Sequence, residues 1–133
     1  MLCFILACST ISVHAYAPEE QHVISYQDGS FAEVNGTEEH VRNNKNFVIG
    51  SKTYTYYNLD GTTAFTYTVK ASFTFDGTRA DTTGCYTAFY VSDGWKKVED
   101  NFGENSGTAV FANGSKRKTI QLSVSCSKNG KIS

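Results

Sequence analysis

The 133-residue chain is short of charge, of proline and of histidine. Asp, Glu, Lys and Arg make up 19% of it, with 12 basic residues against 13 acidic, for a net charge of −1. That balance excludes a general electrostatic binder of nucleic acid, which needs a basic surface to displace counterions. No apolar run approaches the ~20 residues that cross a bilayer as a helix, so no transmembrane segment is expected. Pro18 is the only proline, which leaves every later segment free to pair as a strand. After the first 15 residues there are two histidines, His22 and His40, and no C-x-x-C, so neither a metal site nor a catalytic triad is expected. The glycine-rich phosphate loops G-x-x-x-x-G-K-[ST] and G-x-G-x-x-G are absent, and no cofactor is expected. The length excludes a two-domain cofactor enzyme, and eight Tyr with nine Phe exclude a mostly disordered chain.

Residues 1–15, MLCFILACSTISVHA, carry no charged side chain. Met1 to Ala7 is apolar, and Val13-His14-Ala15 offers small or apolar residues where a signal peptidase reads them. The segment is therefore predicted to be a secretory signal cut after Ala15, and the protein to be secreted. The first basic residue is Arg42, so the basic start of such a signal would lie upstream. Two other readings stand beside this one: a lipobox Ile5-Leu6-Ala7-Cys8 with the chain lipid-anchored through Cys8, and a short buried strand or helix.

Of the four cysteines, Cys3 and Cys8 fall in this leader, which leaves Cys85 and Cys126. Two cysteines in a secreted domain predict one disulfide. Cys126 continues the alternation Ile120, Leu122, Val124, and Cys85 is in phase with Thr87, Phe89 and Val91. Two free, buried thiols are the alternative.

Phe65, Tyr67, Val69, Ala71, Phe73 and Phe75 alternate with Thr66, Thr68, Lys70, Ser72 and Thr74. Period two over this length is a half-buried strand. Six of the seven Asx-Gly pairs, Asp28-Gly29, Asp60-Gly61, Asp76-Gly77, Asp93-Gly94, Asn113-Gly114 and Asn129-Gly130, mark tight turns. Strands are predicted near 22–26, 31–34, 51–58, 63–75, 83–91, 95–99, 107–112 and 118–126. Residues 35–46 read as a polar linker and 99–106 as a loop. The organisation expected is a leader over 1–15, a hairpin and linker over 16–46, and a body over 47–133. Seven to eight short strands without a helical crossover predict an all-β, antiparallel two-layer sandwich. The order Cys85, Trp95, Cys126 is immunoglobulin-like, but Val124 replaces the expected corner tyrosine, so the comparison is one of shape.

The adjacent carboxylates Glu19-Glu20, Glu38-Glu39 and Glu99-Asp100 would point to opposite faces of a strand, whereas glycosidase carboxylates must share a cleft. Tyrosines are the more suggestive group. Tyr54 and Tyr56 share one face, and Tyr86 and Tyr90 share another, opposite Cys85 and Phe89. If those faces are outward they form a Tyr/Thr platform suited to sugar or peptide recognition. If inward, they are ordinary sheet packing. The four tyrosines are the candidate ligand-binding residues. The run Lys116-Arg117-Lys118 reads as a charged edge-strand start.

Four segments, His22-Val-Ile-Ser-Tyr-Gln-Asp-Gly-Ser30, Gly50-Ser-Lys-Thr-Tyr-Thr-Tyr-Tyr-Asn58, Phe65–Phe75 and Ser123-Val-Ser-Cys-Ser-Lys-Asn-Gly-Lys-Ile-Ser133, together resemble a loose family of small secreted proteins from Gram-positive, Clostridia-type gut bacteria. The likeness spans nearly all of the chain after the leader and is compositional. It implies a secreted β domain and assigns no functional residue. The reading that follows is a secreted, non-enzymatic binding module whose partner is an extracellular glycan, cell wall or protein. The alternatives are an exported structural or protein-partner factor, inhibitor or bacteriocin-like, that self-associates or pairs through an edge strand, and a small carboxylate hydrolase.

Overall fold

The structure, a computed structural model, describes residues 5–6, 20–40 and 45–133. The predicted leader and the lipobox Cys8 lie outside the described residues, apart from Ile5–Leu6. Every regular element described is a strand: β1 Ile5–Leu6, β2 Glu20–Ser25, β3 Phe31–His40, β4 Phe47–Tyr57, β5 Thr63–Phe75, β6 Ala80–Val91, β7 Lys96–Gly103, β8 Ser106–Asn113 and β9 Lys116–Ser123. They form two antiparallel sheets, sheet A in the order β1-β2-β3-β4-β5-β6 and sheet B in the order β7-β8-β9. The two-residue β1 pairs with Val23 and Ile24 at the edge of sheet A. The architecture is the antiparallel sandwich that the alternation predicts. Both sheets are simple meanders, and the chain changes sheet once, between β6 and β7. Likeness to an immunoglobulin domain is therefore confined to the layered shape.

The turn chemistry explains the meanders. The glycines of these six turn pairs have positive φ, between 60° and 90°, a region that costs glycine nothing; the seventh Asx-Gly pair, Asn35-Gly36, lies within β3. Three of the aspartates also close their turns with side-chain bonds: Asp28 Oδ1 accepts from Ser30 N at 2.9 Å, Asp60 Oδ1 from Thr62 N at 3.0 Å, and Asp76 Oδ1 from Thr78 N at 2.8 Å. The Ser30 and Thr62 hydroxyls donate to the same Asp28 and Asp60 oxygens, and Arg79 N donates to that of Asp76. These hydroxyl and backbone bonds hold each carboxyl below its usual range.

The core lies between the central strands of sheet A and the inner face of sheet B. Along β5, Phe65, Tyr67, Val69, Ala71 and Phe73 are buried, with Val48, Tyr54 and Tyr56 beside them on β4. Sheet B answers with Ala109 and Phe111 on β8 and Ile120 and Leu122 on β9. Phe65 stacks on Phe111 at 4.1 Å between ring centroids. Trp95, the only tryptophan, is buried against Phe65 and Tyr56 at the turn that links the sheets. Gly107 on β8 lies tight against sheet A. A Cβ there would meet the Tyr67 hydroxyl, Val69 Cγ2 at 2.9 Å and Thr87 Cγ2 at 3.1 Å.

Three expectations are corrected. Residues 35–40 are strand, not linker, because β3 runs to His40 and stays in register with β4 throughout. Residues 99–103 are likewise strand, and the β7–β8 reversal is made by Glu104, which has positive φ (50°), with Asn105. Cys85 and Cys126 are free thiols, not a disulfide. Both pack against the core, as their phases predict. They are not bonded to each other: Cys85 on β6 faces Ala71 on β5, which faces Gly50 on β4. Cys126 lies in the C-terminal segment, bridged to Ile132, and its neighbours Val124 and Ile132 pack over Gly50 on β4, two strands from Cys85 on β6.

Candidate functional site

The two pairs of candidate tyrosines separate completely. Tyr54 and Tyr56 are buried, at 4% and 2% exposure. This corrects the platform expected there. Their partners on β5 are Tyr67 and Phe65, the apolar face of the central strand, so their rings belong to the core. Their hydroxyls are satisfied internally: Tyr54 shares a 2.7 Å bond with Tyr26, and Tyr56 donates to Ser30 Oγ at 2.8 Å. Burial, then the Tyr26 bond, pushes the Tyr54 phenol far above its ordinary value. Tyr86 and Tyr90 are each 54% exposed on the opposite, outer face of β6.

That outer face is a regular array, because the register aligns one row of side chains per two residues. Thr37, Ser51, Lys70 and Tyr86 form one row across β3 to β6; Asn35, Thr53, Thr68 and Ala88 the next; Glu33, Thr55, Thr66 and Tyr90 the third. Hydroxyls link across strands, Thr37 to Ser51 at 2.6 Å and Thr53 to Thr68 at 2.8 Å. With strands ~4.8 Å apart and alternate residues ~6.8 Å apart, the array measures about 14 Å each way. Sheet B packs on the other side of sheet A, and no described element covers this face. The Thr-x-Thr runs at 53–55 and 66–68 were the signal for it. Period two shows which residues share a face but not which face looks out.

A second region lies where the sandwich stands open between the edge strands β6 and β7. A groove of about 600 Å³ runs there, lined by Ala80 to Cys85 and by Phe102, Gly103 and Glu104. Phe89, Val98 and Phe102 are exposed along this side, at 48%, 40% and 54%.

Between the two regions the sheets are joined by a polar clasp that sequence reasoning missed. Asp100 Oδ1 accepts from the Tyr67 hydroxyl at 2.8 Å, and Oδ2 accepts from Thr87 Oγ1 and Lys97 Nζ, both at 2.9 Å. Burial raises the Asp100 carboxyl, but the bonds from Lys97, Tyr67 and Thr87 and the Lys97 charge outweigh it and hold the group below the usual carboxylate range. The Lys97 ammonium also sits 3.9 Å from the Phe89 ring centroid.

Among the described residues, the remaining chemistry-bearing groups do not assemble into catalytic geometry. Asp100 is consumed by its three donors, and its neighbour Glu99 is exposed on the other side of β7. Glu38 points inward and holds His40 Nε2 at 2.7 Å, near Cys126. Burial, then the Glu38 charge, pushes the Cys126 thiol up, the reverse of what activates a nucleophile. Among the described residues, no three His, Cys, Asp or Glu side chains converge as metal ligands, and no helix is long and apolar enough to cross a membrane.

Comparison with family models, with curated proteins and with solved structures returns no match to this chain.

Proposed function

We propose that the protein is a secreted, non-enzymatic β-sandwich that binds an extracellular glycan on the outer face of sheet A. One observation carries the reading: Tyr86 and Tyr90 stand half exposed at the margin of a hydroxyl-bearing array. Sugars present apolar C–H faces ringed by hydroxyls. Tyrosine rings match the first, and Ser and Thr side chains match the second. Secretion rests on the leader-like composition of residues 1–15.

A binding survey against a glycan array, cell wall and mucin tests this reading, with wild type compared to Tyr86→Ala/Tyr90→Ala. Wild type binds saturably. Loss of both rings weakens binding by roughly tenfold per ring, the scale of an aromatic stacking contact with its buried area. The folding midpoint stays within about 0.5 kcal/mol, as expected for exposed positions. Unchanged binding by the double variant rejects this face.

The second reading, a protein-partner factor, is favoured by the exposed Phe89, Val98 and Phe102 beside two edge strands. A partner strand added to β6 or β7 would cover them.

A further inference from the structure

We infer that the glycan bound on the outer face is anionic and carries a carboxylate recognised by Lys70. This deepens the proposed function and rests on it. Lys70 is the one cation in the three-row array, on β5 next to the edge strand β6, between Ser51 on β4 and Tyr86 on β6. Its Nζ lies 6.0 Å from the Tyr86 ring centroid. Among the described residues, no carboxylate comes within ion-pair distance of it.

The nearby acids are otherwise placed. Asp81, towards the β5–β6 turn, is held by Arg79 at 2.5 Å. Glu33 stands two rows along and two strands over, where it acts on the Tyr57 hydroxyl. Two rows and two strands amount to roughly 17 Å, and Glu39, one row along and two strands over on the same face, stands at roughly 12 Å; both exceed the ~8 Å screening length at physiological salt. Lys70 is thus an uncompensated positive charge ringed by hydroxyl donors and set beside an exposed ring.

That combination fits a sugar ring stacked on Tyr86 with an acidic substituent reaching the ammonium. A lone lysine with hydroxyl donors suits a carboxylate with one charge per sugar. Polyphosphate chains are gripped by several cations or by arrays of backbone N–H groups, and the face has neither.

The test uses the purified full chain and a panel of uronate-containing oligosaccharides of different linkage, each beside its methyl ester. The ester keeps the ring and its hydroxyls and removes only the charge. At least one acid is expected to bind about tenfold tighter than its ester, the scale of one charge-assisted hydrogen bond at a partly exposed position. Lys70→Gln abolishes the preference, bringing acid and ester to the same affinity, and Lys70→Arg retains it. Raising the salt concentration weakens the acid and spares the ester.

Acid and ester binding equally across the panel overturns the inference while the glycan-binding reading stands. A preference that survives Lys70→Gln in a variant with unchanged melting also overturns it, by placing the recognition elsewhere. A blank panel together with a blank array removes both.

Discussion

Replacing Phe65 with alanine lowers the free energy of unfolding by about 3–5 kcal/mol, the range for deleting a buried phenyl ring. Phe65 has no exposed surface. Its ring lies within 4.1 Å of Phe111, 5.1 Å of Trp95, 5.3 Å of Tyr56 and 6.0 Å of Tyr54, measured between centroids. Those partners come from β8, from the turn between the sheets and from β4, so one side chain joins both layers. Alanine would leave a void that large, interlocked rings cannot collapse to fill. Phe65→Leu retains most of the volume and costs roughly 1–2 kcal/mol. Urea titration followed by tryptophan fluorescence measures both, since Trp95 reports on the same cluster. A loss under about 1 kcal/mol for the alanine variant would show that the sheets do not close on this residue.

Replacing Asp100 with alanine lowers stability by about 2–4 kcal/mol, because it leaves the buried Tyr67 hydroxyl without its acceptor and Lys97 without its counter-charge. Asparagine keeps a carbonyl acceptor for Tyr67 and costs less. The effect depends on pH, and its direction follows from the depressed carboxyl. A carboxyl whose folded pKa lies below its unfolded value of about 3.9 contributes its full stabilisation above that value. The contribution fades as pH falls through the folded pKa. Wild type and Asp100→Asn therefore differ most near neutrality and converge in acid. Asp28, Asp60 and Asp76 are depressed by their turn bonds and are common to both proteins, so the difference isolates the clasp. A gap independent of pH would mean that Asp100 acts through packing alone.

How far the fold was legible depended on which signal each segment carried. β5 was readable from end to end, because its apolar and hydroxyl residues alternate without interruption. Six turns were readable from their Asx-Gly pairs, whereas the seventh such pair, Asn35-Gly36, is paired strand within β3. The second half of β3 was not, since Asn35 to His40 has no apolar alternation. That segment is strand because its backbone pairs with β4 and Glu38 sits inward beside Gly50. The Glu104 reversal was hidden for the same kind of reason: a glutamate occupies the positive-φ position that elsewhere belongs to glycine.

The candidate site was half legible. Tyr86 and Tyr90 could be placed opposite Cys85 and Phe89, on the face that proves to be outward. Tyr54 and Tyr56 were misplaced because alternation within one strand carries no information about its register with the next. Pairing with Tyr67 and Phe65 decided their burial. The cysteines failed in the same way. Phase put both towards the interior, but where each lies over the sheet is set by strand order and packing, which phase does not encode. The Asp100 clasp joins residues 33 and 13 positions apart in sequence, Tyr67 and Thr87, and had no local signature.

The central claim is that ligand contact falls on the outer face of sheet A. Backbone amide chemical shifts, followed by NMR through a titration with an oligosaccharide that the binding survey identifies, test it most directly. The expected changes cluster on Thr53, Thr68, Tyr86, Ala88 and Tyr90, with the groove at Phe102 to Glu104 unmoved. Changes confined to that groove would contradict the account and move the binding site to the open side between β6 and β7.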